Sequence, residues 1–212
     1  MSGYMKTSFF PQILTKLAAV LSLVFLLCSC AAKEEPKLPT EEEQKGLSGK
    51  YEADAEMAFA KARVLWRRAP SSATAAEVCT DPPKAIELLD RAIALEPKYA
   101  DAYIYRGLAK SDLGMREEAF DDLTKAILLS PKASTYAYRG LVSIRGASAK
   151  AAKRDLDYSL EMEPGQFLAH NYMGVLSLAV GEQAAACEAF QRGCSNGDCS
   201  FLEAAKKEGL CR

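Results

Sequence analysis

Apolar and polar positions divide the chain into three regions. Residues 17–29, LAAVLSLVFLLCS, form an uncharged run, and the sixteen residues before it carry Lys6 and Lys16 but no acid. A cationic stretch followed by a short apolar run is the pattern of a secretory signal segment. Spanning a bilayer takes about 20 apolar residues, so this run is too short to be a transmembrane helix. Residues 32–50 hold charges, two prolines and almost no bulky apolar side chain, which predicts a tether unable to bury itself. Within it, EEEQK (41–45) is the one part compatible with a frayed helix.

From residue 51 onward, small and aromatic residues return at a fixed interval. Gly107, Gly140 and Gly174 are 33 and 34 apart, and Ala85, Ala119, Ala152 and Ala186 are 34, 33 and 34 apart. Pro97, Pro131 and Pro164 keep the same period, and YIYRG at 103–107 returns as YAYRG at 136–140 and, more faintly, as HNYMG at 170–174. The period predicts stacked units of two helices each. Glycine inside a helix costs roughly 1 kcal/mol against alanine, so three at one phase imply that backbones approach closely there. Proline, lacking the amide donor, ends the second helix, and Gly114 and Gly181 sit where a left-handed residue turns one helix into the next. The aromatics of YIYRG and YAYRG read as packing rather than as a ligand box.

These seats resemble the tetratricopeptide repeat, which has an aromatic at position 4, Gly at 8, Ala at 20, a bulky apolar residue at 24, a small one at 27 and Pro at 32. The second unit fills them with Tyr103, Gly107, Ala119, Leu123, Ala126 and Pro131, and the third with Tyr136, Gly140, Ala152, Leu156, Ser159 and Pro164. The fourth has His170, Gly174, Ala186, Phe190 and Gly193. In the first, a helix over 51–69 is separated by SSATAAEVCTDPP from Ala85, Leu89, Ala92 and Pro97. The resemblance implies an all-α, right-handed αα superhelix of about four repeats over 51–198, closed by a capping helix and cysteine-stapled tail over 199–212. Position 7, often Leu in the family, is Arg106, Arg139 and Met173, and position 11, often Tyr, is Lys110, Ser143 and Ser177.

In that family, positions 2, 5, 9 and 12 face a groove. Here they are Asp101, Ile104, Leu108 and Ser111, then Ser134, Ala137, Leu141 and Ile144, then Leu168, Asn171, Val175 and Leu178. The Lys and Asn of the two-carboxylate clamp are missing at positions 5 and 9. A mainly apolar strip suits an amphipathic helix or hydrophobic peptide; the same residues equally suit packing between neighbouring helices.

Leu27-Cys28-Ser29-Cys30 resembles the lipobox of bacterial lipoproteins, with Cys28 a departure at the middle position. The resemblance implies a signal peptide over 1–29, acylation of Cys30, and a tether over 30–50. Ala31 stands where inner-membrane retention signals have Asp, which points to the outer membrane, facing the periplasm. Several acyl chains, at roughly 0.8 kcal/mol per buried CH₂, hold far more firmly than one.

The formal charge is −1 and no dense Lys/Arg run exists, which argues against nucleic acid as the main partner. Four cysteines cluster near the end. Cys187 and Cys194 lie on one helix, about 10.5 Å apart in rise, too far to bridge. An antiparallel hairpin brings Cys194 to Cys199 and Cys211 to Cys187, and this nested pairing is the expectation in an oxidising compartment. The turn is also similar to that of cysteine-rich αα-repeat proteins. The closely paired ligands of a zinc site are absent; Cys79 is left over. Ser200 with Glu203 has the form of a capping box opening a helix over 201–208, ended at Gly209.

His170, the one histidine, occupies an aromatic packing seat. The acid pairs Glu117-Glu118 and Asp121-Asp122 read as solvated helix faces. No nucleophile elbow, phosphate loop or C-x-x-C is present, so no catalytic residue, metal or cofactor is implied beyond the lipid on Cys30. The expected function is a lipid-anchored scaffold that binds a protein or peptide. The alternatives are a thiol-disulfide protein using the C-terminal cysteines and a passive structural lipoprotein.

Overall fold

A computed structural model describes residues 40–68 and 77–212. The chain divides into Met1–Gln44 and Lys45–Arg212. Of the first unit only residues 40–44 are described, at the start of a helix that runs on into the second, and every contact and cavity below lies within the second. In order, the described elements are α1 (Glu41–Arg63), β1 (Trp66–Arg68), β2 (Glu77–Cys79), α2 (Pro82–Leu95), α3 (Ala100–Asp112) and α4 (Arg116–Leu129). They continue with α5 (Ala133–Arg145), α6 (Ala149–Met162), α7 (Phe167–Ala179), α8 (Gln183–Ser195) and α9 (Ser200–Lys207).

Three repeats are antiparallel helix pairs: α3 packs along α4, α5 along α6 and α7 along α8. The first helices also touch from repeat to repeat, α3 against α5 and α5 against α7, so they form a continuous inner layer. The periodic glycines lie at the crossings. A Cβ on Gly107 would stand 3.0 Å from the Ala119 carbonyl oxygen and 3.1 Å from Leu123 Cγ; on Gly140 it would stand 2.9 Å from Leu156 Cγ. Each proline follows the end of a second helix: Pro97 after α2, Pro131 after α4, Pro164 after α6. In the second and fourth repeats the residue at position 4 ties down that loop. Tyr103 Oη donates to the Pro97 carbonyl at 3.2 Å, and His170 Nε2 lies 2.9 Å from the Pro164 carbonyl. Three residues rather than four join α4 to α5, and this shorter loop accounts for the 33-residue step at the third repeat.

Gly114 and Gly181 turn the hairpins at φ +79° and +84°, and Ala147 takes the equivalent place in the third repeat at φ 57°. Helix α2 opens on Pro82, capped by Asp81, whose carboxylate accepts from the Lys84 amide at 3.1 Å. Its buried stripe is Ala85, Leu89 and Ala92, the i, i+4, i+7 spacing of one helix face.

Three expectations need correction. First, α1 begins at Glu41, so residues 41–50 of the supposed tether are helical, and it ends at Arg63 rather than running to 69. Trp66–Arg68 instead pairs antiparallel with Glu77–Cys79, in the register Trp66↔Cys79. Thr80 fastens the ladder, its amide and hydroxyl both donating to the Leu65 carbonyl at 2.8 and 2.9 Å. Second, Asp122 is buried, whereas Glu117, Glu118 and Asp121 are exposed as expected of a solvated face. Asp122 receives Arg106 through two bonds, 2.8 and 2.6 Å, and Lys110 at 2.8 Å. The next repeat copies this: Asp155 receives Arg139 at 2.8 and 2.9 Å. The arginines at position 7 therefore clamp the two helices of one hairpin, and each also reaches the preceding repeat, at Asp90 or Thr124. Burial works against the Arg106 charge, but the bonds to Asp122 and Asp90 outweigh it and raise its pKa above the ordinary arginine range. Third, the capping box does not form at α9. Cys199 holds the cap position without a side-chain bond, and Asp198 accepts from the Ser200 amide and hydroxyl at 3.1 and 2.7 Å.

At the C-terminal end, disulfides join Cys187 to Cys211 and Cys194 to Cys199. They hold α9 against α8, where Phe201 stacks on Phe190 with ring centroids 5.9 Å apart. Gly209, at φ +73°, ends the helix.

Candidate functional site

The buried apolar residues form two clusters. One gathers α1 to α4, Trp66 and Val142 of α5; the other gathers Ala137 and Leu141 of α5 with α6 to α9, and Tyr138 packs against both. At the seam a cavity of about 180 Å³ opens on the inner layer. Each first helix contributes to it one helical turn apart: Tyr105, Leu108 and Asp112 from α3, then Tyr138, Leu141 and Arg145 from α5. Phe167, Leu168 and Tyr172 of α7 close one side, with Asp198 beyond them, and Trp66 of β1 closes the other.

Tyr105, Tyr138 and Tyr172 occupy one seat in three successive repeats. The walls are aromatic and in mutual contact: Trp66 meets Tyr105 edge-on at 5.2 Å, and Tyr138 lies 6.4 Å from Tyr172. The Arg63 guanidinium stands 4.0 Å from the Tyr105 ring centroid and 6.0 Å from that of Trp66, a cation over aromatic faces. At the rim, Arg145 Nη1 pairs with Asp112 at 2.8 Å and donates to Ser111 Oγ at 2.9 Å. The other Asp112 oxygen accepts from the Cys79 amide at 3.4 Å, which links the strand pair to the rim. Asp198 accepts from Asn171 Nδ2 at 3.3 Å.

Two larger grooves lie between the second helix of one repeat and the first of the next. One, about 800 Å³, lies between α6 and α7 and is lined by Lys150, Arg154, Glu161 and Glu182 around Leu176. The other, about 350 Å³, lies between α4 and α5 beside Phe120. Both are open, and their linings mix acids and bases. The inner cavity is more enclosed and aromatic.

Of the groove residues expected from the sequence, Leu108, Leu141 and Leu168 line the cavity, each less than 10% exposed. Ile104 and Val175 are buried in the clusters, and Ile144 and Leu178 pack against the second of them. Ser134 is half-buried, and Ala137 is buried. Ser111 holds Arg145, fully buried Asn171 holds Asp198, and Asp101 pairs with Lys132 at 2.7 Å. Most of the strip is thus spent on helix packing. The tyrosines at position 6, Trp66, Phe167 and the Asp112–Arg145 pair were missed. The signal for the tyrosines was present, two residues after the aromatic in YIYRG, YAYRG and HNYMG. Cys30 lies outside the described residues.

Cys79 is buried and, among the described residues, is the one cysteine outside a disulfide. Burial raises its pKa, and the nearby carboxylates of Asp112 and Asp81 add to this against a backbone hydrogen bond that lowers it. The folded chain therefore keeps a proton that the unfolded chain releases, so this thiol makes stability fall as pH rises past the ordinary cysteine range. Cys79→Ala should flatten the alkaline limb of a stability-against-pH curve. Iodoacetamide should label Cys79 only as the chain unfolds, and rapid native labelling would contradict its burial.

No family model matches the chain. Human tetratricopeptide repeat protein 13 is 34% identical over 121 residues, 57% of this chain, and the match spans 14% of that protein's length. Among solved structures, a thermophilic TPR protein of Thermus thermophilus superposes with a TM-score of 0.56 at 13% identity, covering 77% of this chain and 84% of that one. Cut9, from the APC/C hetero-tetramer Cut9-Hcn1, gives 0.54 at 16% identity over 77% of this chain and 36% of that one. The chain folds as a tetratricopeptide-repeat solenoid. In this solenoid the repeat supplies the inner layer. The inserted strand pair between α1 and α2, which interrupts the first repeat, supplies the Trp66 wall.

Proposed function

We propose that this repeat solenoid is a protein-binding scaffold, tethered by lipid on Cys30 to the outer membrane and facing the periplasm. Its partner docks on the inner layer at the aromatic cavity. The observation that carries the reading is the tyrosine seat shared by three repeats, which with Trp66 makes one enclosed pocket. Small-molecule and cofactor sites occupy roughly 300–1,000 Å³; at about 180 Å³ this pocket is too small for most of them and suits one side chain of a larger partner. Cut9, with a similar fold, was crystallised in a hetero-tetramer with Hcn1. The lipid anchor and compartment are supported by the Leu27–Cys30 motif, and an oxidising compartment agrees with the two disulfides.

Leu108→Asp and Leu141→Asp would be poor probes, because both side chains are buried and a carboxylate there would disturb the core. A photoreactive amino acid in place of half-buried Tyr138 tests the proposal in cells. One dominant protein partner is expected, in the membrane fraction, with the chain released from membranes by Cys30→Ser. Capture of the chain's own copies alone, or unchanged fractionation of Cys30→Ser, would refute the scaffold or the anchor respectively.

A further inference from the structure

We infer that the inner cavity seats one uncharged aromatic side chain of the partner, and that Trp66 on the inserted strand pair sets this preference. The inference rests on the scaffold reading above and adds to it the chemistry of the anchor.

Three observations converge. The first is size. An apolar cavity of about 150 Å³ takes up benzene, so the cavity of about 180 Å³ holds one ring and little more.

The second is charge. Asp112 is answered by Arg145 at 2.8 Å, and Asp198 accepts from Ser200 and Asn171. Arg63, the other cation nearby, lies over Tyr105 and Trp66. A charged guest would give up its water for a rim whose carboxylates and cations are already engaged, which disfavours it. An uncharged ring meets no such cost.

The third is ring geometry. Of the rings that line the cavity, Trp66 stands at 75° to Tyr105 with centroids 5.2 Å apart, and Tyr138 is tilted 48° to Tyr172 at 6.4 Å. Behind them Tyr105 and Tyr172 meet Phe59 and Phe201 edge-to-face at 63° and 78°. A guest ring extends this edge-to-face set, an interaction that an aliphatic guest of equal size cannot make.

Trp66 is not part of the repeat. It reaches the cavity because β1 pairs with β2, opposite Cys79, whose amide bonds the Asp112 carboxylate of the rim. The insertion thus walls off one side of the pocket that the repeats build. Trp66 is also the chain's single tryptophan, so its emission reports on occupancy.

The test titrates the full chain with toluene, methylcyclohexane, n-butylammonium and propionate, following Trp66 fluorescence. Toluene should bind roughly fivefold more tightly than methylcyclohexane, with neither ion binding. Trp66→Leu, followed by ligand NMR, should bring the two rings to parity. Arg145→Gln, which leaves Asp112 without its cation, should admit n-butylammonium. Circular dichroism checks both variants, and if either misfolds the four wild-type affinities still decide. Equal affinity for the two rings, or tighter binding of either ion, would overturn the inference. If no probe binds while Tyr138 crosslinking captures a partner, the inference fails and the scaffold reading stands. If toluene binds selectively while crosslinking captures no partner, the anchor chemistry holds and the scaffold reading falls.

Discussion

Phe190→Ala lowers the stability of the repeat domain by about 3–5 kcal/mol, the loss expected for a large ring removed from a fully buried position. Phe190 sits where the fourth hairpin crosses itself and where the C-terminal cap docks. It stacks on Phe201 on one side and leaves no room for a side chain at Gly174 on the other. Gly174→Ala is the companion test. Alanine in a helix gains roughly 1 kcal/mol over glycine, but its Cβ here would overlap the Phe190 ring, and overpacking of this kind costs about 1–3 kcal/mol. The variant is therefore destabilised on balance. Combined with Phe190→Leu, which makes room, Gly174→Ala should cost less than it does alone, a non-additivity expected of touching residues. At Gly46 and Gly49 of α1 nothing stands within 4 Å of an added Cβ. There the same substitution should stabilise, by up to about 1 kcal/mol. Urea unfolding followed by circular dichroism measures all of these, and a stabilised Gly174→Ala would disprove the close crossing.

Asp155→Ala has the second large effect, a loss of about 3–5 kcal/mol. It strands the Arg139 guanidinium, whose side chain is only 14% exposed and whose two bonds to Asp155 are broken. Replacing both partners, as Arg139→Met with Asp155→Leu, should be near neutral or stabilising, because no charge is left buried. Asp157→Ala is the control. Its bond to Lys153 is as short, 2.7 Å, but the two side chains are 45% and 63% exposed, and such pairs contribute about 0–1 kcal/mol. Burial, not bond length, separates the two outcomes. Equal losses from Asp155→Ala and Asp157→Ala would show that the hairpin clamp has no special role.

The repeat itself was legible because its constraint is local and recurs. A glycine at three crossings, a bulky apolar residue facing each of them and a proline after three of the second helices leave a period that one chain displays several times. The Arg–Asp clamp recurs as well, as Arg106 with Asp122 and Arg139 with Asp155, sixteen residues apart in both cases. It stayed hidden because charged residues on helices are most often solvated, and only the fold shows that Asp122 points inward while Asp121 points out. The strand pair had no such help. Three-residue strands carry no periodicity, and Trp66 follows a helical stretch in sequence with no signal that the helix stops at Arg63.

By itself the sequence determined three of the helix pairs, their crossings and the cysteines available to fasten the cap, since each follows from residue type at a fixed phase along one chain. Only the tertiary structure decided which of the inward-facing side chains stay open to a guest. That choice depends on how far neighbouring helices bury one another, and on a non-repeating insertion that brings Trp66 beside Tyr105 and opposite Tyr172. Proximity across 39 residues from Trp66 to Tyr105, and across 67 more to Tyr172, is a property of the stacked solenoid and is not written in any local pattern.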